Sequence, residues 1–255
     1  MNKFLKCASM LLALAMIFTA AGCKSQDSVD SEDEIIKTPE QQIEENKNIT
    51  DDQVNLVQFE EVPDGAQVAR IETSMGEIVA VLYPEEAPKA VENFVALAKS
   101  GYYTGLSVHR VISNYLIQSG DPTGTGTGGE SSFKDESGNP VGFEGEYSLN
   151  MWNFKGALGM VPNADGLNGS QFYMIVNSAL EQETLDKMEE ANFPQKVIDK
   201  YKEVGGAPWM DGKYTVFAQV VEGLEILDEI AAVAVDENKV PEEDVIITQI
   251  TIDTY

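Results

Sequence analysis

The chain has 255 residues, of which 43% are hydrophobic, enough for the core of one large domain or two small ones. Lys and Arg number 17 against 43 Asp and Glu, so the formal net charge is −26. A surface of that charge repels anionic polymers, so we expect no nucleic-acid partner.

The first 22 residues have the pattern of a lipoprotein signal peptide. Lys3 and Lys6 give a positive start, and residues 8–21 form an apolar run shorter than the roughly 20 residues that cross a bilayer. The run ends in AAGC, which resembles a bacterial lipobox with Ala where Leu is more usual. We predict that Cys23 is lipidated and holds the chain at the extracytoplasmic face of the cell membrane; an ordinary secretory signal is the alternative.

The mature chain would then keep one cysteine, because Cys7 is removed with the signal and Cys23 is acylated. Disulfide and thiolate chemistry are therefore not expected, and nothing in the sequence points to a metal or a cofactor. Residues 23–65 are rich in Asp, Glu, Gln, Ser and Asn, without a sustained apolar stripe. This composition predicts an acidic, disordered tether.

Folded character begins at residue 66. Residues 68–73 and 77–83 are strand-like and are joined by a short turn, which predicts a β-hairpin. Pro88 suits the start of a helix, and Gly101 suits its end. One apolar face of this helix would be formed by Ala90, Val91, Phe94, Leu97 and Ala98.

Further strand patterns lie at residues 106–112, 115–118, 157–161, 171–176, 214–221 and 245–252, with a second helix at 223–233. Between them, residues 178–206 have helical spacing on both sides of Phe193 and Pro194, which predicts a helical-hairpin insertion. Many strands with two core helices favour a mainly β, closed antiparallel barrel.

Three separated segments resemble the signature segments of the cyclophilins, which are peptidyl-prolyl cis-trans isomerases. They are residues 107–118 (SVHRVISNYLIQ), 169–173 (GSQFY) and 209–217 (WMDGKYTVF). The resemblance implies an eight-stranded barrel capped by two α-helices, spanning residues 66–255. It also implies a site that needs no cofactor, and we expect a monomer.

Prolyl isomerisation requires a donor that stabilises the twisted amide, in which resonance is lost and the prolyl nitrogen gains a lone pair. The resemblance assigns that role to Arg110, whose guanidinium is planar and permanently charged. Gln118 would orient Arg110 and bridge to the substrate. The substrate-binding positions implied by the same resemblance are Tyr115, Leu116, Gly126, Asn163, Gln171, Tyr173, Trp209, Met210 and Tyr214.

Two positions depart from the family pattern. Tyr214 stands where many members have His, which is compatible with activity because no general base is needed. An ungapped comparison puts Pro162, which has no N–H, where the backbone normally pairs with the bound peptide; a small shift places Asn163 there. Peptide binding, more than turnover, is therefore the step that the Pro162 departure affects.

Two other patterns are read as incidental. Residues 124–129 satisfy G-x-G-x-x-G, but no βαβ unit surrounds them, so we expect no nucleotide site. The resemblance implies instead a glycine-rich loop that lines the cleft. His109 is the only histidine, and by resemblance it supports the structure beside Arg110.

The leading hypothesis is a lipid-anchored isomerase that acts on proline-containing unfolded or exported polypeptides. A proline-peptide-binding module or chaperone without turnover remains the alternative, motivated by Pro162. A lipoprotein receptor for a small solute is disfavoured because the chain lacks repeated βαβ patterning.

Overall fold

The computed structural model describes residues 49–255, so the signal peptide, Cys23 and residues 23–48 of the expected tether lie outside the described residues. One antiparallel sheet of eight strands dominates, in the order β3-β4-β6-β5-β7-β2-β1-β8. The strands are β1 Gln67–Thr73, β2 Gly76–Leu82, β3 Arg110–Ile112, β4 Leu116–Ser119, β5 Ala157–Pro162, β6 Asn168–Ile175, β7 Val216–Glu222 and β8 Ile247–Thr254.

Four α-helices lie in this part of the chain: α1 Pro88–Lys99, α2 Gln182–Glu190, α3 Gln195–Val204 and α4 Leu224–Ala231. α1 begins at Pro88 and is followed by Gly101 at φ 76°, as the sequence predicts. α2 and α3 form the predicted helical hairpin. No helix within residues 49–255 is both long enough and apolar enough to cross a bilayer.

The sheet is curled but open, and the continuous closed barrel that we predicted is not formed. Its edge strands, β3 and β8, do not pair with each other. The edges approach through one isolated bridge between Ser107 and Ile246, just before each strand begins. β3 is only three residues long, and its Val111 N–H donates to the Lys239 carbonyl of a loop instead of to β8. Beside the bridge, Val108 donates to the Val245 carbonyl and Gly105 donates to the Ile247 carbonyl. The two edges therefore meet only over this short stretch.

The interior core lies between the concave side of the sheet and helices α1 and α4. Phe94 of α1 contacts Phe172 and Phe217 of the sheet, with ring centroids 5.5 and 5.1 Å apart. All five apolar positions predicted for one face of α1 are buried. This packing of helix on sheet fixes which side of each strand faces inward.

A second apolar cluster joins the helical hairpin to residues 49–65, which we call the N-terminal strap. Ile49 and Val54 of the strap pack with Trp152 and Phe154. The helices contribute the other buried members: Leu185, Met188, Val197, Ile198 and Tyr201. The hairpin is therefore held by a core of its own as well as by the sheet.

The strap corrects the predicted boundary, because we had assigned its residues to the disordered tether. Val54 is fully buried, and Gln58 exchanges hydrogen bonds with the backbone of Trp152 at 2.8 and 2.9 Å. The partners of these residues lie about a hundred positions away in the chain, so no local pattern in the strap reveals them. Folded structure extends at least to residue 49.

Burial of Val54 predicts that the strap contributes to the free energy of unfolding. Val54→Ala removes two buried methyl groups and should lower the free energy of unfolding by about 2 kcal/mol. Val240→Ala is the matched control, since Val240 is 37% exposed and should change stability little. Chemical denaturation of both variants measures the difference, and equal midpoints for the two would contradict packing of the strap.

Candidate active site

The predicted site residues meet on the outer face of the sheet, where β3, β4 and β6 lie side by side. Arg110 lies opposite Gln118, and Gln118 lies opposite Tyr173. Opposed residues of antiparallel strands share a face, so these three side chains stand in one row. The residue next to each of them along its strand belongs to the interior core: Val111, Ile117 and Phe172. The row therefore lies on the side away from that core.

An apolar cluster adjoins this row. Tyr173, Met210 and Leu116 belong to it, with 1%, 3% and 6% of their surfaces exposed. They come from β6, from the short 3-10 helix Pro208–Met210, and from β4. The structure thus unites three predicted pocket residues that are up to 94 positions apart, and it makes them a tightly packed floor.

Aromatic residues form the more exposed edge of the same face. Tyr115 follows the tight turn at Asn114 and packs against Trp209, with ring centroids 5.4 Å apart. Trp209 is 45% exposed. Tyr214 stands edge-on to Tyr173 at 5.9 Å. The rim is therefore aromatic and in contact with solvent, while the floor is covered.

Arg110 is exposed at the other end of the row. Within residues 49–255, no carboxylate lies within 4.0 Å of its guanidinium, whereas Arg70, the other arginine of the chain, pairs with Glu77 and Asp253. Within the same residues the Arg110 side chain also makes no hydrogen bond, so its N–H donors are free of protein partners there. This is the arrangement that a donor to a bound ligand requires.

Gln118 is buried and held by a relay of amides. Its Nε2 donates to Gln171 Oε1 at 2.8 Å, and Gln171 Nε2 donates to the Gly128 carbonyl at 2.8 Å. The relay fixes the orientation of the Gln118 amide. The structure places Gln118 opposite Arg110 without a side-chain hydrogen bond between the two, so the predicted orienting contact remains a prediction.

The glycine-rich loop is organised by Asp121. Burial raises the pKa of this carboxyl, but hydrogen bonds from Thr123, Gly128 and Gly126 lower it to about 2. The Gly126 N–H donates to Asp121 Oδ2 at 2.7 Å, and Gly126 lies at φ 80° beside the His109 ring. The amides of the loop therefore bind an internal carboxylate, and the predicted contact of Gly126 with a ligand stays a prediction.

His109 is not placed to act as a base. It is buried, and within the described part of the chain neither ring nitrogen has a hydrogen-bond partner. Burial lowers the pKa of His109 below its ordinary 6.5, against the raising effect of Asp121. The ring is thus a neutral packing group beside Arg110.

The backbone and side chain of Asn163 take part in hydrogen bonds within its own turn. Its N–H donates to Leu167, its carbonyl accepts from Gly166, and its Oδ1 accepts from Asp165 and Leu167. These bonds form a closed turn directly after Pro162, which ends β5 opposite Asn168. Asn163 still lines a cavity of about 150 Å³ together with Val161, Gly129 and Gln171.

One part of the site was not predicted. Tyr173 Oη donates to Asn153 Oδ1 at 2.5 Å, and the backbone and side-chain N–H groups of Asn153 each donate to Asp211 Oδ1 at 2.8 Å. Tyr201 of α3 donates to the other Asp211 oxygen at 2.7 Å. Asp211 stands within the WMDGKYTVF segment, but nothing in the sequence indicates its partners.

The comparisons agree with this geometry. Residues 68–252 match the family model described as cyclophilin type peptidyl-prolyl cis-trans isomerase/CLD. A relative from Staphylococcus aureus (strain USA300), named as a peptidyl-prolyl cis-trans isomerase, is 42% identical over 193 residues, covering 76% of this chain and 95% of that protein. A similarly named Staphylococcus epidermidis protein is 38% identical over 82% of this chain and 96% of its own length.

Among solved structures, the chain is similar to a Cryptosporidium parvum cyclophilin type peptidyl-prolyl cis-trans isomerase determined in the presence of the dipeptide Ala-Pro. The TM-score is 0.58 at 28% identity, covering 74% of this chain and 99% of that one. Residues 68–252, which match the family model, include the row from Arg110 to Tyr173 and the apolar floor. On these grounds the chain belongs to the family of cyclophilin-type peptidyl-prolyl cis-trans isomerases.

Proposed function

We propose that the chain catalyses cis-trans isomerisation of prolyl bonds in exported polypeptides while it is anchored to the membrane by lipid at Cys23. The observation that carries the catalytic part is the row that sets the exposed guanidinium of Arg110 in register with Gln118 and Tyr173. A cationic donor there adjoins a packed apolar floor, which suits a proline ring and its amide.

Rotation about a prolyl bond is slow because the C–N bond has partial double-bond character, with a barrier of roughly 20 kcal/mol. In the twisted state the nitrogen becomes pyramidal and accepts a hydrogen bond that the planar amide cannot accept. Arg110 would donate to that nitrogen, so it would bind the twisted state more tightly than either isomer. Gln118, held by its amide relay, would hold the adjoining backbone.

The apolar floor has two roles in this proposal. Tyr173, Met210 and Leu116 would grip the five-membered ring. The bound ring would then shield the exposed Arg110 guanidinium from water, which would strengthen its hydrogen bond to the prolyl nitrogen. Proton transfer is not required, in agreement with the buried His109 ring, whose nitrogens have no hydrogen-bond partner among residues 49–255. The acceleration over the uncatalysed reaction would come from positioning of the peptide and from electrostatic stabilisation of the twisted amide.

The anchoring part rests on the AAGC segment and the positive, apolar N-terminus. An exported chain folds outside the cytoplasmic membrane, where slow prolyl isomerisation limits the folding of some clients. A lipid anchor would keep the isomerase at that location.

A second candidate, a proline-peptide-binding module with weak turnover, has one observation in its favour. Asn163 uses its backbone N–H and carbonyl within its own turn, and Pro162 has no N–H, so a bound peptide would lose a backbone partner there. Peptide binding without faster exchange, measured by NMR on a cis-trans mixture, would favour this candidate over the enzyme.

Arg110→Ala should lower kcat/KM for an Xaa-Pro peptide by about a hundred- to thousandfold, because one preorganised donor is lost. Arg110→Lys should also be strongly impaired, since a point charge does not reproduce the planar fork. A protease-coupled peptide assay measures both effects.

Arg70→Ala is the matched control for these variants, because Arg70 is the only other arginine and lies on β1 in an ion-paired setting. It should retain the wild-type rate. Equal rates for the wild type and Arg110→Ala would reject the assignment of Arg110 as the donor.

Cys23→Ala should abolish incorporation of an alkyne-labelled fatty acid into the chain when it is produced in bacterial cells. Cys7→Ala, the control at the only other cysteine, should leave labelling unchanged. Label retained by Cys23→Ala, or lost only in Cys7→Ala, would contradict the lipid anchor.

A further inference from the structure

The Asp211 carboxylate joins three parts of the molecule that are separate in sequence. Its Oδ1 accepts both N–H groups of Asn153 at 2.8 Å, and its Oδ2 accepts the hydroxyl of Tyr201 at 2.7 Å. Asn153 and Tyr201 have 1% and 0% of their surfaces exposed. Although Asp211 is partly exposed as a residue, both of its carboxylate oxygens are bonded to buried groups.

These bonds reach the proposed pocket by two routes. Asp211 directly follows Trp209 and Met210, which supply the rim and one part of the floor. Through Asn153 Oδ1 it is also connected to the hydroxyl of Tyr173, the central floor residue. A change at Asp211 therefore affects both the segment of Trp209 and Met210 and the floor residue Tyr173.

The third connection is to the helical hairpin. Tyr201 lies on α3 and belongs to the cluster that holds α2, α3 and the strap together. Its hydroxyl is the hairpin's direct side-chain hydrogen bond to the loop that follows Met210. The hairpin thus contacts, through Asp211, the segment that carries Trp209 and Met210, which we call the pocket wall.

Asp211 is also set to change its protonation near neutrality. Desolvation raises the pKa of its carboxyl to about 7, against the lowering effects of the Asn153 and Tyr201 hydrogen bonds and the charge of Lys213. Tyr173 on β6 also lies near Asp211. Burial raises the pKa values of both Tyr173 and Tyr201 well above their ordinary range. Both phenols therefore remain neutral when Asp211 titrates.

Protonation would reverse one hydrogen bond. The ionised carboxylate accepts from three donors, two at Oδ1 and one at Oδ2. When Oδ2 carries a proton, it must donate to Tyr201, whose own hydroxyl hydrogen then needs another acceptor. The connection between the hairpin and the wall is therefore weaker in the protonated form.

From this geometry we infer that Asp211 is a positioning residue that couples the helical hairpin to the proline pocket, holding the pocket in its active arrangement when ionised. The inference rests on the proposed isomerase function for its effect on rate. It goes beyond that function because it gives the hairpin and Asn153 a role at the site and makes the pocket sensitive to proton concentration.

A structural readout tests the coupling without relying on activity. In the full-length protein labelled with 5-fluorotryptophan, the ¹⁹F resonance of Trp209 should shift with a midpoint near pH 7. Asp211→Asn, a neutral isostere of the protonated acid, should remove that titration.

Tyr201→Phe tests the hairpin's part in the coupling. Losing a donor to the ionised carboxylate should move the Trp209 midpoint upward by about one pH unit. Tyr103→Phe is the matched control, because it removes a buried hydroxyl bonded to the Ser170 carbonyl in a different part of the core. It should leave the midpoint unchanged.

The rate provides the second readout. kcat/KM of the wild type should rise by about fivefold as the pH increases through 7, the effect of one hydrogen bond. Asp211→Asn should show the low-pH value of the wild type at every pH.

The outcomes separate the two claims. An unchanged titration in Asp211→Asn, or equal midpoints in Tyr201→Phe and Tyr103→Phe, would overturn the coupling even if the protein is an active isomerase. The expected titrations in a protein without isomerase activity would uphold the coupling and reject the proposed function.

Discussion

The register of β3, β4 and β6 is the constraint on which the site depends. Arg110, Gln118 and Tyr173 come from three strands, and only this pairing places them in one row on the outer face. A slip of one residue in β3 would turn the Arg110 side chain toward the interior core and expose Val111. Burial of Val111, Ile117 and Phe172 in the interior core therefore fixes the position of the guanidinium.

The two faces of the sheet have different roles. The inner face is filled by aromatic and aliphatic side chains that specify the fold. The outer face carries a smaller apolar cluster, whose covered floor and aromatic rim leave a polar row at one side. The strap and the helical hairpin form the apolar cluster described above, which is joined to the outer face through Asn153 and Asp211. Isomerase chemistry, which needs a fixed donor beside a dry surface, suits such a rigid platform.

Sequence patterns predicted the strands, the face of α1 and the helical hairpin, because their apolar periodicities and Pro or Gly boundaries are local signals. Three short segments identified most of the site. The strap was missed because Val54 and Gln58 are buried only by residues distant in sequence. The Asp211 network was missed for the same reason, because its partners Asn153 and Tyr201 are distant in sequence. The hydrogen bonds within the Asn163 turn were not predicted either, because they depend on the local geometry of residues 163–167.

The most direct measurement is a crystal structure of this protein with an Xaa-Pro peptide bound. Our account predicts the proline ring against Tyr173, Met210 and Leu116, with an Arg110 N–H directed at the prolyl nitrogen. A peptide bound elsewhere, or an Arg110 guanidinium turned away from a proline seated on that floor, would contradict it.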